Sequence, residues 1–334
     1  CFDNKTLEFE YHHLVSSNIT FIDKDFEQKT KKFVRFKDYL AFFRSQNIIL
    51  DNKKREQFIV DQLNRIAKKE NLKIHFNSTL LNEVTNIVEK PNIIKCRFNK
   101  RFLEIPDDIL VTTMQVHQKY FPTFDSRDNL TNNFFLVADN KDSKGLIKIG
   151  NENVVEARLN DAKFFWDKNK TQNLVKGISN LKKLSYFEGL GSYFEKIQRL
   201  RKLGALISDE LLISKEKVEI ASSICKVDLT SDLVNEFPEL QGVMGGHFAK
   251  SQGFDNDICL AIREHYLPTG PETKTPKKPY SVTLAMSDKL DTLSGFFAIN
   301  LKPTSSKDPF ALRRSAIGLI RLIVENKLEI KLKD

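Results

Sequence analysis

From Asn151 onward apolar residues return at three- and four-residue steps, through Val154, Val155, Leu159, Ala162 and Phe165, while strand signals fade. That recurrence is the 3.6-residue period of an amphipathic helix, so the second half of the chain is expected to be helical throughout. The pattern predicts helices over 190–207, 214–235, 256–266, 280–298 and 309–328. In the last, Asp308 is placed to cap and Pro309 to take the first helical position, where a missing N–H costs nothing. Leu312, Ala316, Leu319, Ile320 and Ile323 should then form its buried stripe. The segment TGPETKTPKKPY, 269–280, carries three of the ten prolines and reads as an exposed loop.

The first half reads differently. Residues 52–71 place Ile59, Leu63 and Ile66 at helical spacing, and Asn77 or Ser78 can cap a helix with Leu80, Leu81, Val84, Ile87 and Val88 on one face. Short runs of strand character follow, 93–98 (IIKCRF) and 134–137 (FFLV), bounded by loop-forming residues. Pro106 with Asp107 and Asp108 begins another helix, the acids facing the positive end of its dipole. With 334 residues, two domains are expected at roughly 150 residues each. The fold class predicted is an α+β N-terminal region followed by an all-α helical domain. The boundaries predicted are a mixed region 1–160, a helical connector 161–184, a helical domain 185–328 and a tail 329–334.

Composition removes several classes. No run reaches the roughly 18 apolar residues of a membrane helix, and the opening CFDNKTLEFE lacks a basic n-region and an apolar h-region, so a cytoplasmic protein without membrane contact is expected. The four cysteines, Cys1, Cys96, Cys225 and Cys259, have no CxxC spacing and imply neither a disulfide framework nor a zinc knuckle. A chain that starts at Cys1 is expected to be a piece of a longer one. The formal charge of +9 permits attraction to polyanions, because neutralised phosphates release counterions. With 44 acidic residues interspersed, only local basic clusters carry information. These are Lys302, Lys307, Arg313 and Arg314, then Lys196, Arg199, Arg201 and Lys202. His117 and Lys119, in VHQKYFP, form a further grouping suited to nucleotide or phosphate recognition. Ser305 and Ser306, before the last helix, could offer an anion a helix N-terminus.

Motifs of autonomous catalysis are missing: the sequence has no GxSxG, no GxxxxGK[ST] and no HExxH. The glycine pair Gly245-Gly246 is expected to allow close helix approach or a tight turn. One set of residues has catalytic chemistry: Asp228, His247, Glu264, His265, Asp288 and Asp291, since imidazoles and carboxylates can hold a divalent ion that activates water. Their order along helices resembles the HD superfamily of metal-dependent phosphohydrolases. The superfamily's adjacent His-Asp pair does not occur here; the matching position is Val227-Asp228, which removes one imidazole ligand. The expectation is therefore an HD-like fold with degenerate positions Asp228, His247, His265 and Asp288, no bound metal and no catalytic residue. A metal-dependent phosphohydrolase, or a purely structural scaffold, stands as the alternative.

Longer strings resemble a known family. ELQGVMGGHFAKSQG, AIREHYLP, SDKLDTLSGFFAINLKPTSSKDPFALRRSAIGLIRLIVE, VHQKYFP, FFLVAD and GNENVVEARLNDAKFFW are similar, in unbroken order from 78 to 325, to the beta subunit of bacterial two-subunit glycyl-tRNA synthetases. The resemblance implies an internal fragment lacking an anticodon-binding C-terminal domain. It also implies a tRNA-binding and assembly platform for a glycine–tRNA ligase, with tRNA(Gly) and an alpha subunit as partners. Glycine activation, with ATP and Mg, would belong to the alpha subunit, leaving this chain inactive alone. The phosphate contacts would fall to Lys302, Lys307, Arg313 and Arg314, then Lys196, Arg199 and Arg201, with His117 and Lys119.

Overall fold

The computed structural model describes residues 6–24, 27–304 and 307–330. The chain forms two compact units, Cys1–Lys100 with Thr113–Glu156, and Arg101–Thr112 with Ala157–Asp334.

The first unit opens with two antiparallel hairpins, β1 (Glu10–Tyr11) with β2 (Leu14–Val15) and β3 (Ile19–Lys24) with β4 (Glu27–Lys32). Helix α1 (Phe36–Ser45) adds Tyr39, Phe42 and Phe43 to Phe33 in an aromatic cluster. Its main core lies between α2 (Asn52–Lys69) and α3 (Ser78–Ile87). Asp51 caps α2 by accepting from the Lys54 N–H at 3.0 Å, and Asn77 caps α3 through the N–H groups of Thr79 and Leu80, satisfying donors a helix start leaves open. Ile59 and Leu63 are wholly buried against Leu80, Leu81, Val84 and Val88. Ile87, at the end of α3 and the edge of that face, is 66% exposed, contrary to expectation. The sheet beside them has the order β5 (Asn92–Arg97), β7 (Leu130–Ala138), β6 (Phe121–Phe124), all antiparallel. Phe121 and Phe135 face each other in register and join the core. The strand expected over 134–137 begins at Leu130 because Asp125 accepts from the N–H groups of Arg127 and Asn129, fixing the turn that starts the ladder early.

Among the described residues the second unit is helical apart from one small hairpin. Its elements are α4 (Asp107–Thr112), the later part of α5 (Leu146–Asn169), α6 (Leu174–Gly177), the hairpin β8 (Ser185–Phe187) with β9 (Gly191–Ser192), then α7 (Tyr193–Glu210) and α8 (Lys215–Ile224). There follow α9 (Asp232–Glu236), α10 (Val243–Ser251), α11 (Asn256–Glu264), α12 (Pro279–Ala298) and α13 (Leu312–Glu325). Residues 101–112, placed by sequence in the mixed region, fold with this unit; Arg101 bonds Asn160 at 2.8 Å and Glu104 pairs with Lys163 at 3.7 Å. Helix α12 is its axis, packed by α7, α8, α11 and α13, with Leu284, Ala285 and Met286 fully buried.

Two helices differ from expectation for local reasons. The helix expected over 214–235 breaks after Ile224 into a 3-10 turn, Val227–Thr230, and resumes as α9 under a Ser231 cap. The turn carries Asp228 inward, where its carboxylate accepts two backbone N–H groups. The last helix starts at Leu312 instead of Pro309, because Phe310 stacks on Phe296 and Asp308 reaches across to cap the N–H groups of Leu312 and Arg313. Leu312, Leu319 and Leu322 form its buried face, whereas Ile320 is 59% exposed. The three described cysteines, Cys96, Cys225 and Cys259, are free and buried. Among the described residues no helix is long and apolar enough to cross a membrane.

Gly245 and Gly246 lie where α10 meets α11. A Cβ at 246 would stand 2.8 Å from the Cys259 carbonyl oxygen, which backbone cannot yield, and one at 245 would stand 2.9 Å from the Ile262 side chain. Gly246→Ala should therefore lose about 1–3 kcal/mol of stability by overpacking, measurable as a lower urea midpoint at constant slope; an unchanged midpoint would contradict this close approach.

Candidate functional site

Four lengths of chain bring charged groups into the interior of the helical unit. Asp288 and Asp291 stand three residues apart on α12, and Lys196 and Arg199 three apart on α7, so each pair shares one helix face. Lys226 comes from the turn after α8, and His265 from the end of α11. The Lys226 ammonium lies 2.8 Å from Asp288 Oδ1 and 2.8 Å from His265 Nε2, with the Tyr266 ring centroid 3.8 Å away. The Lys196 ammonium bridges the two carboxylates, 3.3 Å from Asp288 Oδ1 and 2.9 Å from Asp291 Oδ2, and lies over the Tyr186 ring. Arg199 closes on Asp291 from the outer side.

Protonation states follow from this geometry. His265 Nδ1–H donates to the Ile262 carbonyl at 2.6 Å, which leaves Nε2 as a lone pair facing the Lys226 ammonium. Burial and the neighbouring Lys226 charge press its pKa down to about 3, so it is a neutral acceptor. Burial disfavours the Asp288 carboxylate, yet Lys196 and Lys226 outweigh that cost and hold it well below the usual carboxylate range. Burial likewise opposes the Lys196 charge, and Asp288 more than restores it. Asp228 behaves in the opposite sense. Its Oδ2 accepts from the N–H groups of Gly242, at φ +79°, and Gly245, but burial dominates and raises its pKa to about 6.

The four degenerate positions thus divide. Asp288 and His265 meet, but across an ammonium, and Asp228 is turned to the start of α10. His247 is in a separate grouping: its Nε2 lies 2.8 Å from Asp108 Oδ2, and Arg263 takes both Asp108 oxygens at 2.8 and 2.9 Å. Burial opposes the Asp108 charge, but the hydrogen bonds from His247 and Arg263 prevail and lower its pKa to about 2. Among the described residues no three His, Cys, Asp or Glu side chains are grouped so as to hold a metal ion.

The basic residues singled out by sequence divide too. Lys302, Lys307, Arg313 and Arg314 are exposed; Lys302 lies 6.0 Å from the Phe297 ring centroid and Arg313 donates to the Thr304 carbonyl. Ser305 and Ser306 lie outside the described residues. Arg201 pairs with Glu219, and Lys202 is exposed. Lys196 is the correction: at 2% exposure its ammonium is committed to Asp288 and Asp291, so it is no surface cation. Arg199 is half-buried and held by Asp291. In the first unit Lys119 pairs with Glu83 at 2.5 Å, and His117 is half-buried. Lys226 was missed altogether by sequence reasoning; the apolar surroundings of ICKVDL were the signal that its charge would be buried.

His265 and Asp228 make opposed contributions to acid stability. Between about pH 3 and 6.5 the unfolded His265 carries a proton that the folded one lacks, so stability falls as pH drops. Between about 3.8 and 6 the folded Asp228 carries the extra proton, so stability falls as pH rises. Asp228→Asn removes the second effect. Its unfolding free energy should therefore fall about 1.4 kcal/mol per pH unit more steeply than wild type between pH 6 and 4, and an unchanged slope would contradict the assignment.

Comparison with known proteins adds a family. The family model described as "Glycyl-tRNA synthetase beta subunit" matches residues 1–334. Proteins named glycine–tRNA ligase beta subunit are similar to the chain. One from Thermodesulfovibrio yellowstonii is 36% identical over 335 residues, covering 100% of this chain and 49% of the relative. One from Rhodospirillum centenum is 40% identical over 302 residues, 89% of this chain and 42% of the relative. One from Listeria monocytogenes is 38% identical over 337 residues, 100% of this chain and 49% of the relative. The chain spans about half the length of the curated relatives it matches.

Proposed function

The chain belongs to the glycyl-tRNA synthetase beta-subunit family, and from that membership we propose that it is a tRNA-binding and assembly platform of a glycine–tRNA ligase. In this reading glycine is activated with ATP and Mg on an alpha subunit and passed to tRNA(Gly), in the cytoplasm, while this chain contributes grip and geometry. The observation that carries it is similarity along the whole chain to relatives named as the beta subunit of that ligase. The chemistry of the helical unit supports it. His265, Asp288 and Asp291 are occupied by Lys226, Lys196 and Arg199, and His247 by Asp108, so the residues that resemble a hydrolase site are already engaged with one another or with a cation. The exposed cations Lys302, Lys307, Arg313 and Arg314 supply phosphate contacts of the kind that position a nucleic acid without reading its sequence.

A metal-dependent phosphohydrolase requires the convergence of His265 and Asp288 to be open to a divalent ion, and the Lys226 ammonium stands there instead. The test is ATP–pyrophosphate exchange with glycine, run on this chain alone and with the alpha subunit and the remainder of the beta subunit added. No exchange is expected alone, exchange with the complete assembly, and tRNA(Gly) binding by the chain that weakens as salt rises. Exchange by the isolated chain would overturn the reading.

A further inference from the structure

Beside the buried network, between the end of α11 and the start of α13, lies a cleft of about 290 Å³ lined by Gln241, Tyr266, Asp288, Lys289, Arg314 and Ser315, with Glu239 also on its wall. Lys289 is the charge there that the network does not balance. It is 6% exposed, donates to the Tyr266 carbonyl at 3.0 Å, and makes no ion pair with a carboxylate among the described residues. Its stem is fixed: a Cβ at Gly318 on α13 would stand 2.9 Å from Lys289 Cε, so the alkyl chain runs directly against that helix. Arg314, one turn earlier on α13, is exposed on the same cleft with no hydrogen bond or ion pair among the described residues.

The other charged groups at the cleft leave it positive. Asp288 is neutralised by Lys226 and Lys196, and Glu239 is an exposed residue already engaged in an interaction. Across the network and the cleft wall five cations, Lys196, Lys226, Lys289, Arg199 and Arg314, stand against four carboxylates, Asp288, Asp291, Asp228 and Glu239. A buried ammonium without a counter-charge is costly, and an anion reaching it relieves that cost. Burial lowers the Lys289 pKa to about 8, with Asp288 raising it and Lys226 lowering it, which agrees with an uncompensated site. A guanidinium alongside favours a tetrahedral oxyanion with several acceptor oxygens, because its donors engage two at once, and the Ser315 hydroxyl and Gln241 amide add neutral donors.

We propose that this cleft is a phosphate site in which one phosphate group bridges the Lys289 ammonium and the Arg314 guanidinium. Two sources present that chemistry, a phosphodiester of bound tRNA and a free phosphate or small phosphate ester. The tRNA source rests on the platform reading above; the site itself does not.

The test is amine acylation at pH 7.5 read residue by residue by mass spectrometry, with inorganic phosphate, with AMP and with tRNA(Gly), and with tRNA binding measured separately. Labelling of Lys289 should fall by about tenfold at saturation, the change that follows from a charged hydrogen bond of about 1.4 kcal/mol. Arg314→Gln, at an exposed position, should raise the half-protecting concentration by about the same factor. Protection by inorganic phosphate or AMP assigns the site to small phosphates, and protection by tRNA alone assigns it to the RNA backbone. Lys289 labelling unchanged by all three, or protection that Arg314→Gln leaves unaltered, overturns the proposal. If phosphate protects while tRNA does not bind, the platform reading fails and the site stands; if tRNA binds and nothing protects Lys289, the site fails and the platform stands.

Discussion

The helical unit is organised around one ammonium ion. Lys226 is 1% exposed and sits where Asp288, His265 and the Tyr266 ring converge, so no water compensates its charge and the protein must. Each member of the group is tolerable only because the others are in place. Taking one partner from such a buried pair costs about 3–5 kcal/mol, more than the pair adds over an apolar replacement. The arrangement therefore constrains geometry more than it adds stability. It fixes α7, α11, α12 and the turn after α8 in a single register, since a shift of one residue on any of them would strand a charge.

That constraint bears directly on chemistry. The same His and Asp side chains, around an open space, would suit a divalent ion and an activated water. Around an ammonium they are a finished set of ion pairs and hydrogen bonds. This closed interior agrees with the proposed reading, in which the chain contributes at its surface. A fold built for one reaction can serve another protein as structure alone, so the resemblance of residue order to metal-dependent hydrolases carries no activity with it.

Much of this was legible in the amino-acid sequence, for identifiable reasons. Asn77 announces α3 because capping depends on a residue and its next few neighbours, whereas the Asp51 cap of α2 emerged only in the structure. The core of Ile59, Leu63, Leu80, Leu81, Val84 and Val88 follows from period alone. The break after Ile224 and the late start of α13 were not legible, because each depends on a distant partner: Asp228 on the start of α10, and Phe310 on Phe296. The same is true of the site. Asp228, His265 and Asp288 could be picked out by type, but the lysine between two of them showed only in the apolar flanks of ICKVDL, since periodicity cannot say which of many lysines turns inward. Lys196 was assigned to the surface for that reason, and His247 was grouped with residues it does not meet.

The Lys226 ammonium stands between Asp288 and His265, where a divalent ion would otherwise join them. Calorimetric titration of the protein with Mn²⁺, with His265→Gln as the comparison, distinguishes the two arrangements. With the ammonium in place, no saturable uptake that depends on His265 is expected. Stoichiometric Mn²⁺ binding to the wild type that His265→Gln abolishes would contradict it.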